Sequence, residues 1–255
     1  MDHGSADLGR LEWRRAWRAL RGLIADSGRT DLAIEVIDAL AGGSFERVFQ
    51  KFHADPEGRR LLAERPSLLA TLMNRDALQE LPAGSFGRAY VDFMQAANLR
   101  ADGLAEAEAI VVQRHGLRPA PDADHDFFAQ RGRDMHDLWH VLTGYGMDEA
   151  GEAALLAFNL GQVPSLGIAL ILGASAVIGP NDLRGSWPRY LFRAWRRGRH
   201  AVPLMLVPYE RLLAQPLEDV RRLLRIQPAR EAHPDGILVG NRSPTTQQWM
   251  LAAVR

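Results

Sequence analysis

Hydrophobic residues recur along most of this chain with the three-to-four-residue spacing of amphipathic α-helices. One stripe occupies positions i, i+3, i+4 and i+7, and it consists of Phe45, Val48, Phe49 and Phe52. The same spacing returns after Ser85, whereas clear strand signals are missing from the pattern. The pattern predicts an all-α fold.

Capping residues predict where several of these helices begin and end. Asp55 precedes Pro56, which is typical of an N-cap followed by proline at the first helical position. Asp124 is predicted to cap a long helix that carries Phe128, Met135, Trp139 and two histidines. The segment Thr143–Asp148 indicates a helix end, a tight turn and a new N-cap at Asp148.

The chain is expected to form a single multi-helix domain with additions at both ends. A length of 255 residues with 47% hydrophobic content is enough for one sizeable core, predicted over residues 30–226. The arginine-rich segment Leu11–Ile24 predicts an amphipathic helix within residues 1–29 that contacts a membrane surface. Residues 227–255 are rich in Pro, Gly, Asn, Ser and Thr, which favours an appendage or partner-binding tail.

An uncharged segment of twenty-eight residues extends from Ala153 to Pro180. Its polar and helix-breaking residues near the middle, Gln162, Pro164 and Ser165, predict two buried helices instead of a membrane span. Two such helices either form ordinary core or line a long apolar pocket, and composition alone favours the core.

Charge and cysteine content narrow the classes of function. The formal net charge is zero, so no general attraction to nucleic acid is expected. Cysteine is absent, which excludes disulfides and leaves His, Asp and Glu as metal ligands. Residues 184–200 interleave arginines with aromatic residues; this mixture suits anionic lipid headgroups, or equally a surface helix whose aromatic side faces the core.

The chemistry of the chain is concentrated around two histidines. His136 and His140 are four residues apart, so their imidazoles share one helix face and can bind the same metal ion. His140 and Glu152 are each six residues from Gly146, and two antiparallel helices would therefore bring them to equal height. Asp137 is a candidate fourth ligand or an orienting group for an imidazole. A histidine pair with this spacing is, by itself, more often a pair of surface residues than a metal site. The carboxylate at the matching height is the feature that favours a metal site.

These residues also form part of a recognisable signature. The arrangement His-Asp-x-x-His, eleven residues and then Glu resembles the signature of the ubiquinone (coenzyme Q) biosynthesis protein "four" family. Further blocks at residues 55–58, 64–66, 81–90 and 209–211 resemble that family in its order. By this resemblance the metal-binding and catalytic positions, described in the family as a zinc site, are His136, Asp137, His140 and Glu152.

The resemblance implies an activity in ubiquinone biosynthesis. The expected enzyme is a carbon–carbon lyase of the 4-hydroxy-3-methoxy-5-polyprenylbenzoate decarboxylase type, and its substrate carries a polyprenyl tail that would occupy an apolar lipid pocket. Zinc is the expected cofactor. Iron stays open, because two histidines and a carboxylate also hold iron in non-haem oxygenases. If decarboxylation is coupled to hydroxylation of the ring carbon, an oxidant is needed, and zinc alone supplies none.

The resemblance further implies a peripheral position on the bacterial inner membrane, or on the matrix side of the mitochondrial inner membrane in a eukaryote. Expected partners are the polyprenylated aromatic substrate, the membrane surface, other ubiquinone biosynthesis enzymes and a second copy of the chain, but not nucleic acid. Two alternatives remain: a non-catalytic lipid-binding organiser of the biosynthetic complex, and a metal-dependent phosphohydrolase. The phosphohydrolase would need a distant His and Asp that the sequence does not reveal.

Overall fold

The computed structural model describes residues 11–26, 29–96, 120–178 and 186–233, with Gly236 and a few positions between 100 and 113. In these ranges the chain forms α-helices and two 3₁₀ turns, with no β-strand, so the predicted all-α fold is confirmed. The helices are α1 Trp13–Ala25, α2 Thr30–Ala39, α3 Ser44–Ala54, α4 Pro56–Glu64, α5 Leu68–Met73, α6 Arg75–Gln79, α7 Phe86–Ala96, α8 Ala123–Asp134, α9 His136–Thr143, α10 Glu149–Gln162, α11 Leu166–Ile178, α12 Trp187–His200, α13 Leu217–Leu224 and α14 Ala229–Ala232. The 3₁₀ turns lie at Leu204–Leu206 and Tyr209–Arg211.

Most of the predicted capping residues have the expected role. The Asp55 side chain accepts a hydrogen bond from the Glu57 backbone N–H at 2.8 Å and so caps α4. Asp148 caps α10 in the same way. Gly144 ends α9 in the left-handed conformation with φ of 75°, which glycine adopts without steric cost.

The prediction for the start and course of α8 was wrong in two respects. Asp122 is the N-cap, because the helix begins at Ala123; its carboxylate accepts hydrogen bonds from the N–H groups of Asp124 and His125. The predicted continuous helix is interrupted at Met135, whose N–H bonds back to Arg131 to close α8. The histidines therefore belong to a separate short helix, α9.

Three hydrophobic clusters hold the helices together. The largest joins α5–α7 with α9–α14, and smaller clusters join α1, α2 and α11 and then α3, α4 and α8. Helices α10 and α12 approach each other closely where each carries a glycine. A Cβ on Gly198 would lie 2.0 Å from the Phe158 carbonyl oxygen, and one on Gly161 would lie 2.4 Å from that of Trp195. This packing fixes α10, the helix that carries Glu152.

The uncharged segment forms α10 and α11, as predicted, although Pro180 lies outside the described residues. None of the helices in the described ranges combines the length and hydropathy that crossing a membrane requires. Phe158 and Ile168 are buried in the main core, and Leu170 packs against the cluster of α1 and α2. An apolar lipid pocket along this segment stays a prediction.

The aromatic residues of α12 divide between core and solvent. Trp187 and Tyr190 are buried, and the Trp187 indole N–H donates to the Ser175 backbone carbonyl at 3.1 Å. Phe192 is exposed. The core-facing interpretation of this stretch therefore holds for Trp187 and Tyr190, whereas Arg184 lies outside the described residues.

Both ends of the described chain are packed on the domain. Helix α1 is part of the cluster with α2 and α11, and the Glu12 N–H bonds to the Ala39 carbonyl at 2.9 Å. Ala229 and His233 are buried, and the Tyr145 hydroxyl lies 2.8 Å from His233 Nε2. Apolar contacts thus cross the predicted boundaries at residues 29 and 226, and the division into an N-terminal helix, a helical domain and a C-terminal tail stays a prediction.

His125 joins the N-terminus of α8 to α3. Its Nδ1 lies 2.8 Å from Asp122 Oδ1 and its Nε2 lies 3.0 Å from Glu46 Oε2, while the ring stacks on Phe49. Burial acts to lower the pKa of His125, but the two carboxylates outweigh it and raise that pKa. Hydrogen bonds from Gln50 and then His125 lower the pKa of Glu46, and those from the His125 backbone and ring lower the pKa of Asp122.

We expect His125→Gln to destabilise the protein mainly in weakly acidic solution. The contribution of His125 is complete below its ordinary pKa of about 6.5 and is lost as pH rises through its raised folded value. The contribution of the carboxylates is present above about pH 4.5 and is lost on acidification. Thermal melting against pH should therefore show a larger difference from wild type near about pH 5.5 than near about pH 8. An equal difference at both pH values would contradict the ion-pair role.

Candidate metal centre

The turn between α9 and α10 folds directly onto the first turn of α10. A Cβ on Gly151 would lie 2.0 Å from the Gly146 carbonyl oxygen, so only glycine fits there without displacing the turn. Gly144 reverses the chain, and the Asp148 carboxylate caps the start of the new helix by accepting hydrogen bonds from the N–H groups of Ala150 and Gly151. Glu152, in the first turn of α10, consequently faces α9.

The structure brings together the three residues that the spacing predicted. Glu152 Oε1 lies 3.5 Å from His140 Nε2, and Glu152 Oε2 lies 3.9 Å from His136 Nε2. One ligand atom from each side chain lies within 4.8 Å of the other two. A single divalent cation therefore fits between the two imidazoles and the carboxylate.

The outer nitrogen of each imidazole has a partner that orients the ring. His140 Nδ1 lies 3.2 Å from the Tyr145 backbone carbonyl, which can only accept, so Nδ1 is the donor and the neutral imidazole has its lone pair on Nε2. His136 Nδ1 lies 3.2 Å from Asp137 Oδ1, which favours the same tautomer. Asp137 is outside the three-ligand group and has the geometry of an orienting group.

The inner nitrogen of His140 supports a bound cation. His140 is 1% exposed, and its Nε2 forms no hydrogen bond within the described part of the chain. A buried nitrogen without a partner is costly and is rare in folded proteins. A metal ion would supply that partner, and the set of two imidazoles and a carboxylate fits zinc or iron.

Charge around the pair affects the protonation of His136. Desolvation acts to lower its pKa, but the hydrogen bond to Asp137 and the charge of Glu152 outweigh it, and the pKa of His136 is raised. A cation that binds here must therefore displace a proton from His136 in weakly acidic solution.

Helix α7 contributes two aromatic residues that sequence reasoning did not assign to the site. The Phe93 ring stacks on His140 with centroids 5.6 Å apart. Tyr90 is buried, and among the described residues its hydroxyl has no hydrogen-bond partner. Burial and the negative charge of Asp137 raise the pKa of Tyr90, so the phenol stays protonated. Their three-residue spacing could have placed both on one helix face, but not next to His140.

Comparison of the sequence with protein families gives one match over most of the chain. The family model described as "Coenzyme Q (ubiquinone) biosynthesis protein Coq4" matches residues 16–230. The ubiquinone biosynthesis protein COQ4, mitochondrial, of Yarrowia lipolytica is 30% identical over 209 residues, which cover 81% of this chain and 76% of that protein. The mitochondrial homologue of Aedes aegypti is 29% identical over 207 residues (80% and 71%), and that of Rattus norvegicus is 32% identical over 180 residues (68% and 62%).

A solved structure has a similar fold. The crystal structure of a putative ubiquinone biosynthesis protein from Nostoc punctiforme matches with a TM-score of 0.61 and 22% sequence identity. The match covers 84% of this chain and 98% of that protein. At this identity the similarity concerns the fold alone.

Proposed function

Because the chain belongs to the Coq4 family of coenzyme Q (ubiquinone) biosynthesis proteins, we propose that it removes the ring carboxylate of a polyprenylated 4-hydroxybenzoate precursor. The observation that carries the proposal is the buried Nε2 of His140, which forms no hydrogen bond among the described residues and lies opposite Glu152 and beside His136. Catalytic metal sites in proteins are built from such exchangeable nitrogen and oxygen ligands with one position left for substrate.

His136, His140 and Glu152 would hold the metal ion, which we expect to be zinc. A divalent cation held by these residues would supply positive charge for an oxygen of the substrate carboxylate or phenolate. The Tyr145 carbonyl and Asp137 keep the two imidazoles oriented for it.

Decarboxylation requires one proton at the ring carbon. The carbon–carbon bond breaks, carbon dioxide leaves, and the bonding electron pair stays on the ring carbon until a proton replaces the carboxylate. Asp137 is the carboxylate next to the centre that is outside the three-ligand group. We assign it the transfer of this proton, which it takes up from water and then passes to the ring carbon.

The substrate tail would lie along the uncharged helices α10 and α11. Glu152 is in the first turn of α10, so an isoprenoid chain held there would position the aromatic head against the metal centre. A lipid substrate places the protein on a membrane surface beside the other ubiquinone biosynthesis enzymes.

A labelled substrate tests the proposal. Purified protein reconstituted with zinc or with iron is mixed with a prenylated 4-hydroxybenzoate that carries ¹³C in its carboxylate, in detergent micelles. Release of labelled carbon dioxide is expected with metal and not after chelation. Release without dioxygen indicates simple decarboxylation. Release only with dioxygen and a two-electron reductant, together with a new ring hydroxyl, indicates the oxidative reaction.

The organiser function makes a different prediction in the same assay. A non-catalytic lipid-binding protein would bind the prenylated substrate and leave its carboxylate intact in every arm. Retention of all label by metal-loaded, substrate-bound protein would therefore overturn the proposed activity.

A further inference from the structure

The outward face of α1 exposes large apolar side chains. Trp13 is 52% exposed, Trp17 is 58% exposed and Ile24 is 44% exposed. The opposite face of the helix is buried against α2 and α11. Tryptophan is seldom this exposed in a folded domain, and two at i, i+4 on one helix indicate a surface that contacts another phase or partner.

The same face is strongly basic. Arg14, Arg18 and Arg21 are exposed, and within the described residues no acidic side chain forms an ion pair with them. Arg15, on the inner side, instead pairs with Asp38 at 2.7 Å and Glu35 at 3.2 Å. No acidic residue occurs between positions 13 and 25, so this face carries a local positive charge on a chain whose net charge is zero.

The three arginines also share a surface cleft. It has a volume of about 430 Å³ and is lined by Arg14, Trp17, Arg18, Arg21 and Gly22. Guanidinium groups donate paired hydrogen bonds to phosphate oxygens, and tryptophan favours the headgroup level of a bilayer. We propose that the outward face of α1 docks on the surface of an anionic phospholipid bilayer, with its tryptophans among the headgroups and its arginines on lipid phosphates.

Charge argues against a second copy as the occupant. A two-fold contact between identical α1 faces would bring two sets of the same three arginines together with no acidic residue from either face. The phosphates of a nucleic acid could also bind these arginines. The exposed Trp13 and Ile24 favour a bilayer instead, because a bilayer has an apolar acyl region beneath its charged headgroups.

Vesicle co-sedimentation of the full chain tests the proposal. Wild type is expected to bind phosphatidylcholine vesicles that contain phosphatidylglycerol, and to bind pure phosphatidylcholine much more weakly. Replacing Arg14, Arg18 and Arg21 together by Gln should weaken binding by about fivefold for each arginine, or about a hundredfold in all. The matched control replaces three exposed arginines of α3, α13 and α14, Arg47, Arg222 and Arg230, by Gln and should bind like wild type.

Two further variants separate the contribution of the tryptophans from that of the arginines, and vesicle binding from the metal centre. Trp13→Ser with Trp17→Ser should weaken binding at high salt as well, where screening has already removed most of the charge effect. His140→Ala should bind vesicles like wild type, because α1 does not contact the metal centre; vesicle binding is thus independent of the proposed activity. Circular dichroism checks that each variant keeps its helix content.

Several outcomes would overturn the docking surface. One is an equal loss of vesicle binding in the α1 arginine variant and in the matched control. Another is equal binding of wild type to neutral and anionic vesicles. A third is loss of vesicle binding when Arg193 and Arg196 of α12 are replaced and α1 is intact. A wild-type dimer that the α1 arginine variant abolishes would assign the face to a second copy instead. Tight binding of a DNA or RNA duplex that the variant abolishes, without vesicle binding, would assign it to nucleic acid.

Discussion

A Glu152→Gln variant is expected to abolish ubiquinone synthesis in a strain that lacks this protein and carries only the variant. The amide has nearly the shape of the carboxylate, so α10 keeps its packing, but the charge that faces His140 at 3.5 Å is lost. An amide oxygen is a much weaker ligand for zinc or iron than a carboxylate. Profiling of quinone intermediates should show the prenylated, still-carboxylated precursor in place of ubiquinone.

The same helix turn provides the control. Glu149→Gln makes the same change of charge in the first turn of α10, but Glu149 is not in the three-ligand group. It should support normal ubiquinone. If Glu152→Gln supports normal ubiquinone after its metal has been shown to be lost, the catalytic role is wrong. If it lowers several biosynthetic enzymes together and stalls the pathway at various steps, the protein is an organiser.

A His140→Ala variant is expected to lose its metal and to remain folded. Removing a ligand should weaken metal binding by more than about a hundredfold, which is the loss that removing a second-shell partner can reach. The buried ring also stacks on Phe93, so truncation should cost about 1–3 kcal/mol of stability. Elemental analysis of purified protein measures the first effect, and urea unfolding measures the second.

Two further histidine variants show whether loss of metal comes from loss of a ligand and not from unfolding. The His136 side chain is 27% exposed, so His136→Ala should also lose metal with a smaller loss of stability. His53→Ala, at an exposed position on α3, should keep the metal content of wild type. Full metal occupancy in both His136→Ala and His140→Ala would show that the ion binds elsewhere.

The sequence predicts the parts of this protein that depend on local spacing. The helical periodicity gives the all-α fold, and the turn signals from Thr143 to Asp148 give the reversal between α9 and α10. Counting six residues from Gly146 in both directions places His140 opposite Glu152, because antiparallel helices joined by a tight turn rise at the same rate. Three of the four candidate site residues therefore come together as expected.

The rest depends on contacts between residues that are far apart in the chain. The observed helix cap is Asp122, whereas the sequence predicts Asp124. Aspartate is an acceptable N-cap at both positions, and local sequence does not specify that the helix begins at Ala123. The stacking of Phe93 on His140 and the burial of Tyr90 come from the packing of α7 on α9, which local spacing does not specify. The burial of Ala229 and His233 likewise depends on tertiary packing, which the polar composition after residue 226 does not specify.

Metal analysis of the wild-type protein together with X-ray absorption spectroscopy shows whether the protein has a metal centre with a position open to substrate. We expect about one divalent ion per chain, with two imidazole ligands, carboxylate oxygen and at least one exchangeable oxygen ligand that is lost when the carboxylated substrate is added. The contradicting result is a protein that binds no divalent ion, or one whose ion has a closed set of protein ligands that does not change when substrate is added.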